Sequence, residues 1–154
     1  MATIKQEDFI QSIADALQFI SYYHPADYIK ALTKAWEREE SPAAKDAMAQ
    51  ILVNSRMCAE GHRPICQDTG MVVAFVEVGM EVKWEADLSL EEMVNEGVRR
   101  GYSHPDNVLR ASMVADPAGE RKNTRDNTPA ITHTRIVPGN GVEVKLAAKG
   151  GGSE

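Results

Sequence analysis

Apolar residues recur at helical spacing through the first sixty residues of the chain. Thr3 and Gln6 fit the S/T-x-x-Q capping box, and apolar side chains three and four positions apart then predict a helix to about Tyr23. Prolines 25 and 42 suit the first turn of a helix, so further helices are predicted at about 26–39 and 43–59.

Strand-like patterns follow Gly70. The β-branched run MVVAFVEVG and the alternation from Glu81 to Trp84 predict a pair of strands. After a polar loop, two more strands are predicted at about 130–137 and 142–148, linked by the turn PGNG.

Two helices are predicted between these strands. Ser89 with Glu92 repeats the capping-box signal for a helix toward Gly101, and Pro105 opens a short one after it. Helices that come first, with strands and helices after them, predict an α+β fold: N-terminal helices followed by a small mixed or antiparallel sheet packed with helices.

Composition and charge narrow the class of protein. With 154 residues, 43% of them hydrophobic, the chain suits a single domain over 1–154. The net charge of -6 and the absence of Lys/Arg clusters argue against a nucleic-acid partner. Charged residues interrupt the N-terminal segment, which resembles neither a signal peptide nor a membrane span, so we expect a cytoplasmic protein with no membrane contact.

The cysteines raise a question about metal binding. Cys58 and Cys66 are expected to be reduced, and Cys66 stands in the polar loop CQDTG. It is either a small buried residue in a loop capped by Asp68 and Thr69, or a thiolate ligand or nucleophile. His62 is a weak candidate for the base of a nucleophile. A zinc site needs four ligands and an iron–sulfur cluster three or four thiolates, so this chain cannot complete either alone.

Three further segments could carry chemistry. KNTRDNTPA is either an exposed turn-rich loop or part of a site, and Lys149 with the glycines after it is either a flexible tail or the start of a substrate loop. Arg110 is either a solvated helix residue or a two-pronged cation for a carboxylate.

Taken together, the motifs RPICQDTG, NVLRAS, KNTRDNTPA and AKGGGSE, in this order, resemble the N-terminal half of the class I, iron–sulfur fumarate hydratases and the related tartrate dehydratase alpha subunit. The resemblance implies a 4Fe-4S cluster held by three cysteines. Cys66 is implied as one ligand, whereas Cys58 matches no ligand position. The other two ligands are expected in a C-terminal domain that is absent from this chain.

The resemblance also implies roles for other residues. The implied catalytic residues are Gln67 and Asp68, and the implied substrate-binding residues are Arg110, Lys149, Gly150, Gly151 and Gly152. Weaker, supporting roles are implied for Asn127, Thr128 and His133. Arg125 receives no role, because many relatives have Gly or Lys at that position.

The implied activity is that of a hydro-lyase of the citric acid cycle, hydrating fumarate reversibly to (S)-malate once the C-terminal domain is present. The isolated chain is expected to be inactive, and the whole enzyme to be a homodimer. Tartrate dehydratase, or a related hydroxy-acid hydro-lyase, is the alternative. A non-catalytic binding or assembly domain is an alternative of another class.

Overall fold

The computed structural model describes residues 2–66 and 70–150 of the chain. The helices within this part are α1 (Gln6–Tyr22), α2 (Ala26–Arg38), α3 (Pro42–Gly61) and α4 (Leu90–Tyr102). The strands are β1 (Thr3–Lys5), β2 (Met71–Gly79), β3 (Lys83–Glu85), β4 (Val114–Ala115), β5 (Lys122–Asn123), β6 (Ile131–Val137) and β7 (Val142–Lys149). The predicted α+β fold is confirmed.

The chain divides into two compact units. The first unit comprises Met1–Gln18 with Gln67–Glu154, and the second comprises Phe19–Cys66. The boundary falls within α1, so this helix contributes residues to both units.

A mixed three-stranded sheet organises the first unit. Its order is β6-β2-β7, with β2 parallel to β6 and antiparallel to β7. Alternate residues of β2 are buried and form one core with apolar side chains of α1 and α4, among them Ile13 and Val94. Each such valine or isoleucine contributes about 1.5–3 kcal/mol by leaving water. The buried residues of β2 are Val72, Ala74, Val76 and Val78.

One predicted strand pairing is wrong. The strand after β2 does not pair with it, since β3 runs parallel to β1 with Ile4 opposite Trp84. The two strands joined by PGNG are present as predicted and lie on either side of β2. The most deeply buried strand takes the central place, where neighbours on both sides satisfy its backbone.

Two predicted helix starts are also wrong. Thr3 belongs to β1 and α1 begins at Gln6, whose Oε1 accepts hydrogen bonds of 3.0 Å from the backbone N–H groups of Asp87 and Leu88. The segment after Pro105 is not helical. Its backbone groups bond to buried side chains, which removes the partners that a helix would need.

The second unit contains α2 and α3. Ser41 caps α3 by accepting a hydrogen bond from the N–H of Ala44, and Pro42 is the first helical residue, as predicted. His62 ends the helix in the left-handed conformation and stacks on Tyr22 with ring centroids 4.7 Å apart. None of the described helices is both long enough and apolar enough to cross a membrane.

Candidate functional site

A buried asparagine links the segments that carry the sequence motifs. Asn127 is 0% exposed, and its Oδ1 accepts hydrogen bonds from the backbone N–H groups of Ser112 at 2.7 Å and Met113 at 3.1 Å. Its Nδ2 donates to the carbonyl of Gly70 at 2.9 Å. Asn127 has φ +62°, a left-handed conformation that asparagine tolerates better than most residues. One side chain therefore joins the KNTRDNTPA loop to the segment after Arg110 and to the start of β2.

The start of β2 in turn lies against the end of β7. Met71 is paired with Lys149, and a Cβ at Gly70 would lie 2.2 Å from the Lys149 carbonyl oxygen and 2.8 Å from the nitrogen of Gly150. Gly70 also has φ +62°. Only glycine combines this backbone conformation with so close an approach, and the result brings Gly150 beside the Asn127 contacts.

Arg110 lies on a segment that is anchored on both sides. The preceding Leu109 is 3% exposed, and its N–H donates to the Tyr102 carbonyl at 3.1 Å. The following Ser112 is held by Asn127. The Arg110 side chain itself is exposed, so its charge projects from a fixed backbone.

A second buried amide pair secures the beginning of this segment. Asn107 donates through Nδ2 to Gln18 Oε1 at 2.9 Å, and Gln18 Nε2 donates to the carbonyls of Asn107 at 2.9 Å and Gly101 at 2.6 Å. Both side chains are buried. The backbone on the N-terminal side of Arg110 is therefore tied to α1 and to the end of α4.

The KNTRDNTPA loop makes further contacts with the Arg110 segment. Asn123 Nδ2 donates to the Ala111 carbonyl at 2.8 Å, and the Thr124 N–H donates to the Met113 carbonyl at 2.9 Å. Arg125 has φ +68°, the conformation that glycine adopts most easily.

An ion pair attaches the same loop to α4. Arg99 Nε lies 3.1 Å from Asp126 Oδ2, while Asp126 Oδ1 accepts hydrogen bonds from the N–H and hydroxyl of Thr128. Partial burial opposes ionisation of Asp126, but these Thr128 bonds and the Arg99 charge outweigh it and lower its pKa. Thr128 thus supports the loop through Asp126.

The two cysteines have different surroundings. Cys66 is exposed, whereas Cys58 is buried, with its thiol 3.7 Å from Asn54 Oδ1 and 3.6 Å from the Pro64 carbonyl. An accessible thiol fits one ligand position of an iron–sulfur cluster, and a buried, hydrogen-bonded thiol does not. Within residues 2–66 and 70–150, no three His, Cys, Asp or Glu side chains are grouped as a metal site. Any cluster would need ligands in addition to Cys66.

The remaining predicted residues are divided between two places. His133 lies in the middle of β6 on the exposed face of the sheet and stacks on Phe75 with centroids 5.1 Å apart. Phe75 is five residues along β2 from Gly70, which corresponds to roughly 16 Å, so His133 does not join the Asn127 contacts. Four predicted residues lie outside the described part of the chain: Gln67, Asp68, Gly151 and Gly152.

His133 and Phe75 instead line a shallow pocket of about 230 Å³ on the sheet. Its charged residues are paired with one another, Arg135 with Glu77 at 2.8 Å and Lys145 with Glu143 at 2.9 Å. Arg110 and Lys149 are not among its lining residues, so this pocket is separate from the candidate site.

Sequence reasoning missed the Gln18–Asn107 pair and did not identify the partners of the Asn127 side chain. A glutamine within an apolar helix stripe was the available signal for Gln18, since buried amides need specific partners. For Asn127, the signal was its place in a loop rich in amides. Neither pattern identifies the partner, because Asn127 and Gly70 lie 57 positions apart and Gln18 and Asn107 lie 89 positions apart.

Comparison with known proteins identifies relatives over most of the chain. Over 146 residues the chain is 27% identical to a putative L(+)-tartrate dehydratase subunit alpha of Methanocaldococcus jannaschii, covering 92% of this chain and 50% of that protein. It is also 27% identical over 143 residues to the L(+)-tartrate dehydratase subunit alpha of Escherichia coli K12 and to that of Shigella sonnei, covering 91% of this chain and 46% of each. The chain spans about half the length of these curated relatives.

The family assignment rests on a longer match than any single motif. Residues 10–154 match the family described as fumarate hydratase (Fumerase), a span that includes Cys66, the Arg110 segment, Asn127 and the end of β7. By this match, the chain belongs to the fumarate hydratase (Fumerase) family.

Proposed function

We propose that this chain is the dicarboxylate-binding and cluster-contributing part of an iron–sulfur hydro-lyase that adds water to fumarate to give (S)-malate. The observation that carries the proposal is the convergence on Asn127 of three motif segments that are distant in sequence. Family membership supports hydro-lyase chemistry. The role given to each residue, and the need for a C-terminal domain, are parts of the proposal.

Arg110 would bind one carboxylate of the substrate. A guanidinium offers two parallel N–H groups that match the two oxygens of a carboxylate. Its exposed side chain on a backbone fixed at Leu109 and Ser112 supports this role, because the fixed backbone limits the region that the guanidinium can reach. The same charge stabilises the negative charge that develops when a proton leaves the carbon next to a carboxylate.

Lys149 and the glycines after it would bind the second polar end of the substrate. Lys149 is the last residue of β7 and is exposed. Backbone N–H groups of a glycine segment can approach an anion closely, because no side chain intervenes. Loss of one such oriented donor costs roughly 2.7–4 kcal/mol of transition-state stabilisation.

Cys66 would provide one thiolate to the cluster, with its remaining ligands outside this chain. When bound, such a cluster supplies a Lewis-acidic iron that polarises the hydroxyl group of the substrate. Gln67 and Asp68 directly follow Cys66 in the sequence, and we assign them to contact with the substrate or to the hydrogen-bond network of the cluster. The names of the relatives, all alpha subunits, support a partner polypeptide or domain; homodimeric assembly stays a prediction.

L(+)-tartrate is a second candidate substrate. The observation that favours it is the name shared by the curated relatives at 27% identity. Tartrate has the same two carboxylates as malate and one more hydroxyl group. Arg110 and the glycine segment would recognise both molecules, so the groups that separate them must contact the additional hydroxyl.

The test is reconstitution of the complete enzyme with iron and sulfide under anaerobic conditions. Cys66→Ala is the test variant, and Cys58→Ala is the matched control, because it removes a buried thiol without a proposed ligand role. We expect malate from fumarate, with activity lost in Cys66→Ala and retained in Cys58→Ala. Cluster content is followed by its visible absorption.

Other outcomes would change the proposal in defined ways. Conversion of L(+)-tartrate to oxaloacetate without conversion of fumarate would reassign the substrate. Equal cluster content and activity in the wild type and Cys66→Ala would remove Cys66 from the ligand set. Absence of both cluster and activity would favour the non-catalytic binding or assembly domain.

A further inference from the structure

We infer that Asn127 is a positioning residue for substrate binding, which fixes the Arg110 segment against the strand that follows the Cys66 motif. The inference rests on the proposed function, since it takes Arg110 as the carboxylate-binding cation. Asn127 would not contact the substrate, but it would determine the position of the Arg110 guanidinium.

The first step of the argument is the completeness of burial. Asn127 is 0% exposed, so its amide cannot exchange its protein partners for water. Loss of a hydrogen bond by a buried polar group is unfavourable, because water cannot replace the lost partner. The bonds to Ser112, Met113 and Gly70 are therefore strongly maintained.

The second step is that the oxygen and the nitrogen of the amide bind different segments of the chain. The Oδ1 atom accepts two backbone N–H groups from the segment that begins two residues after Arg110. The Nδ2 atom donates to Gly70, next to Met71, which pairs with Lys149. A neutral amide is the side chain that both accepts and donates in this way. A carboxylate in its place could only accept.

The third step concerns the anchors of the backbone on either side of Arg110. On its N-terminal side, Leu109 and the Gln18–Asn107 pair anchor the backbone. On its C-terminal side, Asn127 holds the N–H groups of Ser112 and Met113, while Asn123 and Thr124 hold the carbonyls of Ala111 and Met113. Removal of Asn127 would release the two N–H groups and their link to Gly70, and so would loosen the position of Arg110. A misplacement of 1 Å at a positioned group can cost about 100-fold in rate.

Asn127→Gly is the test variant, because glycine keeps the left-handed backbone while deleting the amide. The matched control is Asn95→Ala. Asn95 Oδ1 also accepts a backbone N–H from the end of the same loop, that of Ala130 at 2.8 Å, but it contacts neither Ser112 nor Gly70 in the described hydrogen bonds. Both variants lose an asparagine side chain that supports one loop, and only one loses the link to Arg110.

The variants are made in the complete enzyme, with KM and kcat measured for fumarate and L(+)-tartrate and the competitive inhibition constant measured for succinate, an unreactive dicarboxylate. We expect Asn127→Gly to raise KM and the succinate constant about tenfold and to lower kcat about tenfold, because a displaced guanidinium weakens both substrate binding and stabilisation of the charge that develops in the reaction. Asn95→Ala should change either constant by less than about twofold. Arg110→Lys gives the size of the effect when the guanidinium fork itself is removed.

Asn127→Asp is a second test variant, for the case that the glycine variant does not fold. It keeps an acceptor for Ser112 and Met113 and replaces the donor to Gly70 by a carboxylate oxygen, which cannot donate. We expect these two amides to stay protected from hydrogen exchange, with KM raised about threefold to tenfold because the link to Gly70 is lost. Protected amides with a wild-type KM would show that this link does not position Arg110 and would overturn the inference.

The failures of the inference and of the proposed function can be told apart. An active wild type with the same KM in Asn127→Gly as in Asn95→Ala overturns the positioning role alone. A wild-type enzyme that converts neither substrate overturns the proposed function, and the inference that rests on it.

Discussion

Gly70 combines two constraints at one residue. Its φ is +62°, and the carbonyl oxygen of Lys149 lies 2.2 Å from the place where a Cβ would stand. Gly139 in the turn before β7 shares only the first constraint, with φ +114° and no atom within 4 Å of its Cβ position. A comparison of substitutions at these two glycines therefore separates the cost of backbone strain from the cost of close approach.

Gly70→Ala is predicted to be much more destabilising than Gly139→Ala. Gly139→Ala destabilises the protein only through its unfavourable backbone conformation, by about 1–3 kcal/mol. In Gly70→Ala the end of β7 must also move, which adds overpacking of about 1–3 kcal/mol. Urea unfolding of both variants measures the difference, and equal free energies of unfolding would contradict the close approach.

At the scale of elements, α4 is capped at its N-terminus and packs closely against α1. Its capping box is complete, with Glu92 Oε2 accepting from Ser89 N–H at 2.8 Å and Ser89 Oγ accepting from Glu92 N–H at 3.3 Å. Its buried face meets α1 at Gly97, where a Cβ would lie 2.5 Å from Ile13 Cβ and 2.9 Å from the Ile10 carbonyl oxygen. A glycine inside a helix is unfavourable by itself, so the close packing of the helices explains it.

Gly97→Ala is predicted to destabilise the protein, although alanine favours a helix by about 0.8–1.0 kcal/mol over glycine. Overpacking against Ile13 costs about 1–3 kcal/mol and outweighs this gain. Gly61→Ala near the end of α3 is the control, because its nearest contact is the Arg63 side chain at 3.7 Å. Thermal unfolding should show a lower midpoint for Gly97→Ala and an unchanged or higher one for Gly61→Ala. A higher midpoint for both would contradict the packing.

At the scale of the whole molecule, acidic side chains with lowered pKa values gather around α4. The Arg100 hydrogen bond lowers the pKa of Glu7 from its ordinary 4.5, and the Ser89 hydroxyl lowers that of Glu92. Asp126 has a lowered pKa through Thr128 and Arg99 despite its partial burial. These groups connect α4 with α1, with its own N-terminus and with the KNTRDNTPA loop.

The sign of their effect on stability follows from linkage. Carboxyl groups with pKa values lower in the folded than in the unfolded chain bind fewer protons when folded. Their stabilisation is complete above the unfolded pKa and is lost as the pH falls through the folded values. The temperature of the thermal unfolding midpoint is therefore predicted to decrease as the pH is lowered from about 5 to about 3.

Glu7→Gln tests this dependence, because it removes one of the titrating groups and its charge on Arg100. We expect a lower midpoint than that of the wild type at pH 7 and a smaller loss between pH 5 and pH 3. An acid dependence identical to that of the wild type would show that the Glu7–Arg100 pair adds nothing to stability.

The sequence by itself determined the local elements and the family motifs. Helix ends marked by Ser41 with Pro42 and by Ser89 with Glu92 were predicted correctly, since capping depends on residues three positions apart. The run at β2 was identified from its β-branched residues, and α+β was the correct class. The order of four motifs pointed to the correct family, because each motif is continuous in sequence.

Only the tertiary structure decided which strands pair and which side chains hold the candidate site together. The central place of β2, the parallel pairing of β1 with β3 and the non-helical path around Arg110 all depend on partners far away in sequence. The short helix predicted after Pro105 failed because Asn127 and Gln18 take up backbone groups that helical bonds would use. Local patterns do not contain such contacts, since a buried amide finds its partners only when the chain has folded around it.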